Sequence, residues 1–116
     1  MHSYIGKNEI VELVQNNRQG FIIENIKAKD IDEYINNLLI VLKGMNISTG
    51  IFNQPKIKRL CDDSLNPLNK NKYTLLLVIR KDAKVNNNAY NSIGILINNV
   101  VPCLTIQDFV KKQYSR

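Results

Sequence analysis

Tyr73-Thr74-Leu75-Leu76-Leu77-Val78-Ile79-Arg80 is the stretch on which the fold turns. Its five consecutive apolar residues, Leu75 to Ile79, are bounded by polar sequence and are too few for an ordinary helix. They suit a strand covered on both faces, because side chains that alternate between faces are then apolar on each. The run predicts the innermost strand of a sheet. Before it, Asp62 to Lys72 reads as a polar loop containing Asn66-Pro67. After it, Lys81 to Ser92 is polar with room for a short helix. Ile93-Gly94-Ile95-Leu96-Ile97 then reads as a further strand ended by an Asn98-Asn99 turn.

Farther out, helical periodicity takes over. Ile31, Tyr34, Ile35, Leu38, Leu39 and Leu42 recur at steps of three and four, predicting an amphipathic helix over 30–43. Asp30 is placed to cap its start with Glu33 three residues on, and Lys43 and Gly44 to close its end as cation and left-handed cap. A shorter helix is expected over 8–17, with Ile10, Val11, Leu13 and Val14 inward, and a short strand at Phe21-Ile22-Ile23. Ile47 to Phe52 and Ile57 to Leu60 read as strand-like pieces interrupted by Pro55. Val100 to Leu104 contains Pro102 and reads as an edge segment. Thr105 caps a last helix over 105–114, with Asp108 at the capping-box position, Ile106, Phe109 and Val110 inward, and Lys111, Lys112 and Arg116 near its C-terminal end. The fold class is α/β or α+β: one small domain over residues 1–116, a central sheet of about four or five strands, and helices packed on it.

Composition agrees with a single packed domain. A chain of 116 residues with 44% hydrophobic and 22% charged residues lies far from the disordered regime. Without Trp and with three Phe, aliphatic side chains must fill most of its core. Seventeen Asn, sixteen Ile and twelve Lys are the residues of A- and T-rich codons. They point to an AT-rich genome such as that of a microbe, virus or mobile element, and not to a mechanism. The N-terminus lacks the apolar segment of a secretory signal, and no apolar run is long enough to span a bilayer. The expectation is an intracellular protein, cytoplasmic or nuclear, without a membrane partner.

Chemistry-bearing motifs are scarce. Five scattered glycines form neither GxGxxG nor GxxxxGK[ST], and the one histidine, His2, leaves triads and multi-His metal sites without parts. Cys61 and Cys103 are too few for a disulfide or metal framework and read as reduced, partly buried thiols. No cofactor or metal is expected, and no residue is assigned a catalytic role. Glu9, Glu12, Glu24, Asp30, Asp32 and Glu33 fall at helix starts and on polar helix faces, where capping and solubility account for them. Asp62 and Asp63, the apolar strand and Lys81 follow the order of a metal-dependent nuclease. Ile79, however, occupies the position two before Lys81 that a paired carboxylate would need.

Charge supplies the one feature with a partner attached. Residues 56–84 hold eight basic and three acidic side chains, which is +5 of the net +6. The candidate nucleic-acid contacts are Lys56, Lys58, Arg59, Lys70, Lys72, Arg80, Lys81 and Lys84, since clustered cations attract phosphates and release counterions. The chain is thus expected to be a non-enzymatic basic protein that contacts a polyanion, either nucleic acid or an acidic protein surface. Two alternatives stand beside it. One is a viral or mobile-element accessory or inhibitor protein acting by protein–protein contact through an apolar or edge-strand surface, homo-oligomers included. The other is a degenerate restriction-endonuclease-like domain built on Asp62, Asp63 and Lys81. In element order, NEIVELVQNNRQGFII, DIDEYINNL and ILINNVVPCLTIQDFVKK are similar to the N-terminal jaw domain of the shared RNA polymerase subunit. That resemblance implies a restriction-enzyme-like fold and assigns no site residue.

Overall fold

The computed structural model describes residues 3–53, 56–60 and 72–114. In chain order the elements are β1 (Ser3–Ile5), α1 (Lys7–Gln15), β2 (Gly20–Lys27), α2 (Ile31–Gly44), β3 (Lys56–Leu60), β4 (Lys72–Val78), α3 (Asn87–Val100), β5 (Leu104–Thr105) and α4 (Ile106–Tyr114). This is a mixed α+β domain. Its body is an antiparallel sheet of β3, β4 and β2, flanked by four helices. The three-residue β1 runs parallel along β3, and the two-residue β5 runs antiparallel along β2. Where four or five full strands are expected, three thus carry the sheet and two short pieces edge it, in the order β1-β3-β4-β2-β5.

The apolar run of β4 is explained by what lies on each side of it. Leu75, Leu77 and Ile79 join Phe21 and Ile23 of β2 in a core closed by Ile31, Leu38 and Leu42 of α2 and by Tyr90, Ile93 and Ile97 of α3. Leu76 and Val78 turn the other way with Ile22, against Ile10 of α1 and Ile106 and Phe109 of α4. Every residue of the run is therefore buried, and each such side chain contributes about 1.5–3 kcal/mol relative to exposure. Coverage by helices on both faces produces this pattern in an antiparallel strand just as it does in a parallel one.

β2 is longer than the expected Phe21-Ile22-Ile23 because a bulge corrects its phase. Asn25 has φ 62, and the pairing with β4 shifts by one residue between Ile23 and Ile26. The extra residue lets Ile26 rejoin the core of Phe21 and Ile23, which strict alternation would forbid.

Helix boundaries depart from expectation in specific ways. Asp30 ends a 3-10 turn, Ala28–Asp30, and makes no side-chain cap bond to α2. Gly44 is helical, and the left-handed cap is Asn46 at φ 60, with the Ile47 N–H donating to the Leu42 carbonyl at 2.8 Å. α1 spans 7–15 and ends the same way: Asn17 has φ 57, and the Arg18 N–H bonds the Leu13 carbonyl at 2.9 Å. Ile47 to Phe52 forms no strand; it holds a 3-10 turn, Thr49–Ile51, and one bridge from Phe52 to Ile79. The edge pairing expected within Val100 to Leu104 begins at Leu104 and pairs with Ile22 and Phe21. Thr105 does cap α4, accepting from the Asp108 N–H at 3.1 Å.

The largest correction is α3. Residues 93–97 are helical, inside a 14-residue helix that starts where the Asn86 side chain accepts from the Ala89 N–H. Short apolar runs fit either period. Here Tyr90, Ile93 and Ile97 fall on one helical face, and Asn86 supplies the start signal. Gly94 lies inside the helix because Phe21 presses against it: a Cβ there would sit 3.0 Å from the Phe21 ring. Among the described residues no helix is long and apolar enough to cross a membrane. Cys61, Asp62, Asp63 and most of the expected 62–72 loop lie outside the described residues, while Lys72 opens β4.

Gly20 sits where the backbone of β4 leaves no room for a side chain. A Cβ there would lie 2.5 Å from the Leu77 carbonyl oxygen and 3.2 Å from the Val78 Cα, both backbone atoms of the neighbouring strand. Gly20→Ala is expected to lose about 1–3 kcal/mol of unfolding free energy in urea denaturation, as overpacking against atoms that cannot retreat. Wild-type stability in that variant would show that the ladder yields at this point.

Candidate functional site

Two loops meet at the end of the sheet where β2 begins and β4 finishes. The left-handed Asn17 turns the chain out of α1 and presents Arg18. Arg18 Nη2 donates to the Ile79 carbonyl at 2.8 Å, and the Ile79 N–H donates to the Gln19 carbonyl at 2.8 Å, so the loop is tied to the end of β4. From there the chain turns through Arg80 to Asn86 into α3. Arg80 is held by a two-pronged pair with Asp82, Nε to Oδ1 at 3.0 Å and Nη2 to Oδ2 at 2.6 Å, and its Nη1 reaches the Gly50 carbonyl at 3.2 Å. Its charge is thereby partly answered within the loop.

Between these loops lies a groove of about 740 Å³, lined among others by Asn17, Arg18, Arg80, Lys81, Lys84 and Asn86. Among the described residues that line it there is no carboxylate and no aromatic ring. Lys81 and Lys84 are exposed, and neither forms an ion pair with a described residue. A smaller groove of about 280 Å³ adjoins it and shares Arg18 and Lys81; Glu9 and Glu12 of α1 and Lys56 of β3 line it over Leu76 and Val78. Amide and cationic donors facing one concavity suit an anion with several acceptor oxygens.

The eight basic residues singled out in the sequence do not all share this place. Lys56, Arg80, Lys81 and Lys84 are gathered around the two grooves. Lys72 is at the opposite end of β4, paired across the ladder with Lys27 and roughly 25 Å from Arg80 at the usual rise of a strand. Lys58 and Arg59 are placed in β3 by their backbone alone, and Lys70 lies outside the described residues. Arg18 and the flanking amides are the residues that charge counting passes over. Arg18 belongs to a first half whose acidic residues outnumber its basic ones, and only the Asn16-Asn17 helix ending in front of it hints at a fixed loop.

A buried hydroxyl braces the groove from behind. Tyr90 of α3 accepts from the Gly20 N–H at 3.0 Å, and its one proton faces the Gly20 carbonyl at 2.6 Å and Gln107 Oε1 at 2.8 Å. Gln107 Nε2 in turn donates to the Arg18 carbonyl at 3.0 Å. Two helices thus hold the backbone on either side of Gln19. Burial pushes the Tyr90 phenol from 10.0 up to about 12, against the lowering effect of its bond to Gly20, with Asp108 and Cys103 adding to the rise. Cys103 is a free, half-buried thiol whose ionisation burial also pushes up, and its Sγ lies 3.8 Å from the Gly94 carbonyl. Among the described residues no three His, Cys, Asp or Glu side chains gather as a metal set. The nuclease alternative rests on Asp62 and Asp63, which lie outside the described residues.

No family model matches the chain, and no curated protein and no solved structure matches it. The element-order similarity to an RNA polymerase jaw domain accordingly gains no support from known relatives.

Tyr90→Phe removes the hydroxyl while keeping the ring that packs 5.0 Å from Phe21. It is expected to cost about 1–3 kcal/mol, because the Gly20 N–H is left buried without its acceptor. In the unfolded chain the phenol ionises near pH 10.0 and in the fold only near 12. The wild type therefore keeps this contribution in full below pH 10 and loses it as the pH rises through 12. Urea midpoints across pH 8–12 should converge for wild type and Tyr90→Phe at the alkaline end, and a constant gap would contradict the assignment.

Proposed function

We propose that this chain is a non-enzymatic binding protein that holds the phosphate backbone of a nucleic acid at the groove between the 16–19 and 80–86 loops. The observation that carries this reading is the convergence of Arg18, Lys81 and Lys84 on one concavity lined by amides, with no carboxylate among its described lining residues. Such a lining neutralises phosphates and releases their counterions, which favours binding whatever the sequence. Arg18 is held by its bond to the Ile79 carbonyl, so its guanidinium is positioned before binding, whereas the exposed Lys81 and Lys84 are ordered by the ligand.

The test is fluorescence anisotropy with short single- and double-stranded DNA and RNA at low and near-physiological salt. Binding is expected to weaken steeply with salt. Lys81→Ala and Lys84→Ala are each expected to reduce the slope of log K against log salt by about one, and Lys72→Ala to leave it unchanged. Equal effects of all three substitutions would assign the affinity to net charge and not to the groove. Absence of binding at either salt would overturn the reading and turn attention to acidic protein surfaces.

A further inference from the structure

The smaller of the two grooves differs from the larger in the charge of its walls. α1 contributes Glu9 and Glu12, three residues apart and so on one side of the helix. Arg18, Lys56 and Lys81 bring cations to the same cavity, over a floor of Leu76 and Val78 of β4. Glu12, Lys56 and Lys81 are exposed and Arg18 is part-buried. None of these four forms an ion pair with a described residue, so carboxylate and cations share a space of about 280 Å³ without closing on one another. Opposite charges held apart across one cavity suit a guest that brings an anion to one side and hydrogen-bond donors to the other.

Arg18 and Lys81 line both grooves and therefore stand where the two join. Arg18 spends Nη2 on the Ile79 carbonyl and keeps its other guanidinium donors for a ligand. A phosphate seated on Arg18 and Lys81 has the cationic larger groove on one side and the Glu9 and Glu12 carboxylates on the other. Further phosphates are drawn along the larger groove and repelled from the smaller one. What can enter the smaller groove is the uncharged part of a nucleotide.

We propose that the smaller groove takes one unpaired base of a bound strand and that Glu12 selects guanine. The proposal rests on the reading of the larger groove as a phosphate site. An ionised carboxylate only accepts, through two oxygens side by side. Guanine answers it with two neighbouring donors on its pairing edge, the N1–H and the 2-amino group, whereas adenine, cytosine and uracil set an acceptor next to their donor. A Glu is thus a poor partner for those edges and a two-pronged one for guanine. The base lies with its face toward Leu76 and Val78, and the cavity, near the lower end of small-molecule sites in size, suits one base and not a stacked run. A duplex keeps the pairing edge occupied, so the strand must be single at this nucleotide.

Competition against a labelled single-stranded oligonucleotide, read by fluorescence anisotropy, tests this with guanosine, inosine and adenosine monophosphates as competitors. The guanosine nucleotide is expected to displace the strand at about tenfold lower concentration than the adenosine nucleotide, with inosine, which lacks the 2-amino group, between them. Glu12→Gln, which turns one acceptor oxygen into a donor, is expected to abolish the preference and leave the adenosine nucleotide's competition unchanged. Its melting temperature should match the wild type, because Glu12 is exposed. Salt-dependent oligonucleotide binding with no preference for guanosine overturns this proposal and leaves the phosphate reading standing, and a preference that Glu12→Gln retains also overturns it. Absence of any oligonucleotide binding overturns the phosphate reading, and this proposal with it.

Discussion

The pairing of β2 with β4 is the constraint on which the rest of the molecule depends. These two strands supply both cores at once: Phe21, Ile23, Leu75 and Leu77 on one side, Ile22, Leu76 and Val78 on the other. A sheet that is apolar on both faces is unstable until both are covered, which recruits α2 and α3 to one side and α1 and α4 to the other. The close approach at Gly20 lets the ladder run to its end, and the bulge at Asn25 keeps its far half in phase. Phe21 then becomes the hub of the larger core, with Phe52 at 6.4 Å, Tyr90 at 5.0 Å and the open side of Gly94 around its ring.

The same ladder positions the candidate site. Where β2 begins, its backbone no longer has β5 as a neighbour, and the Tyr90 hydroxyl takes the Gly20 N–H and carbonyl that a strand would otherwise have paired. Gln107 continues the connection to Arg18, and Arg18 returns it to Ile79 at the end of β4. Packing and the candidate groove are therefore joined at one place. The residues that close the core also fix the loop that presents a guanidinium to the groove, and a buried polar network of this kind is strong only when all its members are satisfied.

Charge is distributed with a logic of its own. Arg18, Arg80, Lys81 and Lys84 collect around the loops at one end of the sheet, whereas α3 carries no charged residue and α2 confines its charges to Asp32, Glu33 and Lys43 in its end turns.

How much of this was legible in the sequence follows from the range of the forces involved. Local patterns are readable: the run Leu75 to Ile79, the three-and-four spacing from Ile31 to Leu42, and Thr105 before the last helix state their structures through residue type and neighbours alone. The residues 93–97 were not readable as helix, because a short apolar run fits two periods, and the choice came from Phe21 pressing on Gly94 and from the Tyr90 bond to Gly20, contacts some 70 residues apart in sequence. The caps at Asn17 and Asn46 were hidden because Asn tolerates the left-handed region only when the chain beyond it gains by turning. The basic segment was legible as composition but not as a site. Sequence alone determined that this is a basic, mixed helix-and-strand domain with an innermost apolar strand. Only the tertiary structure decided that Lys72 parts from Lys81 while Arg18 joins it, because a strand carries its two ends apart and a ladder brings distant loops together.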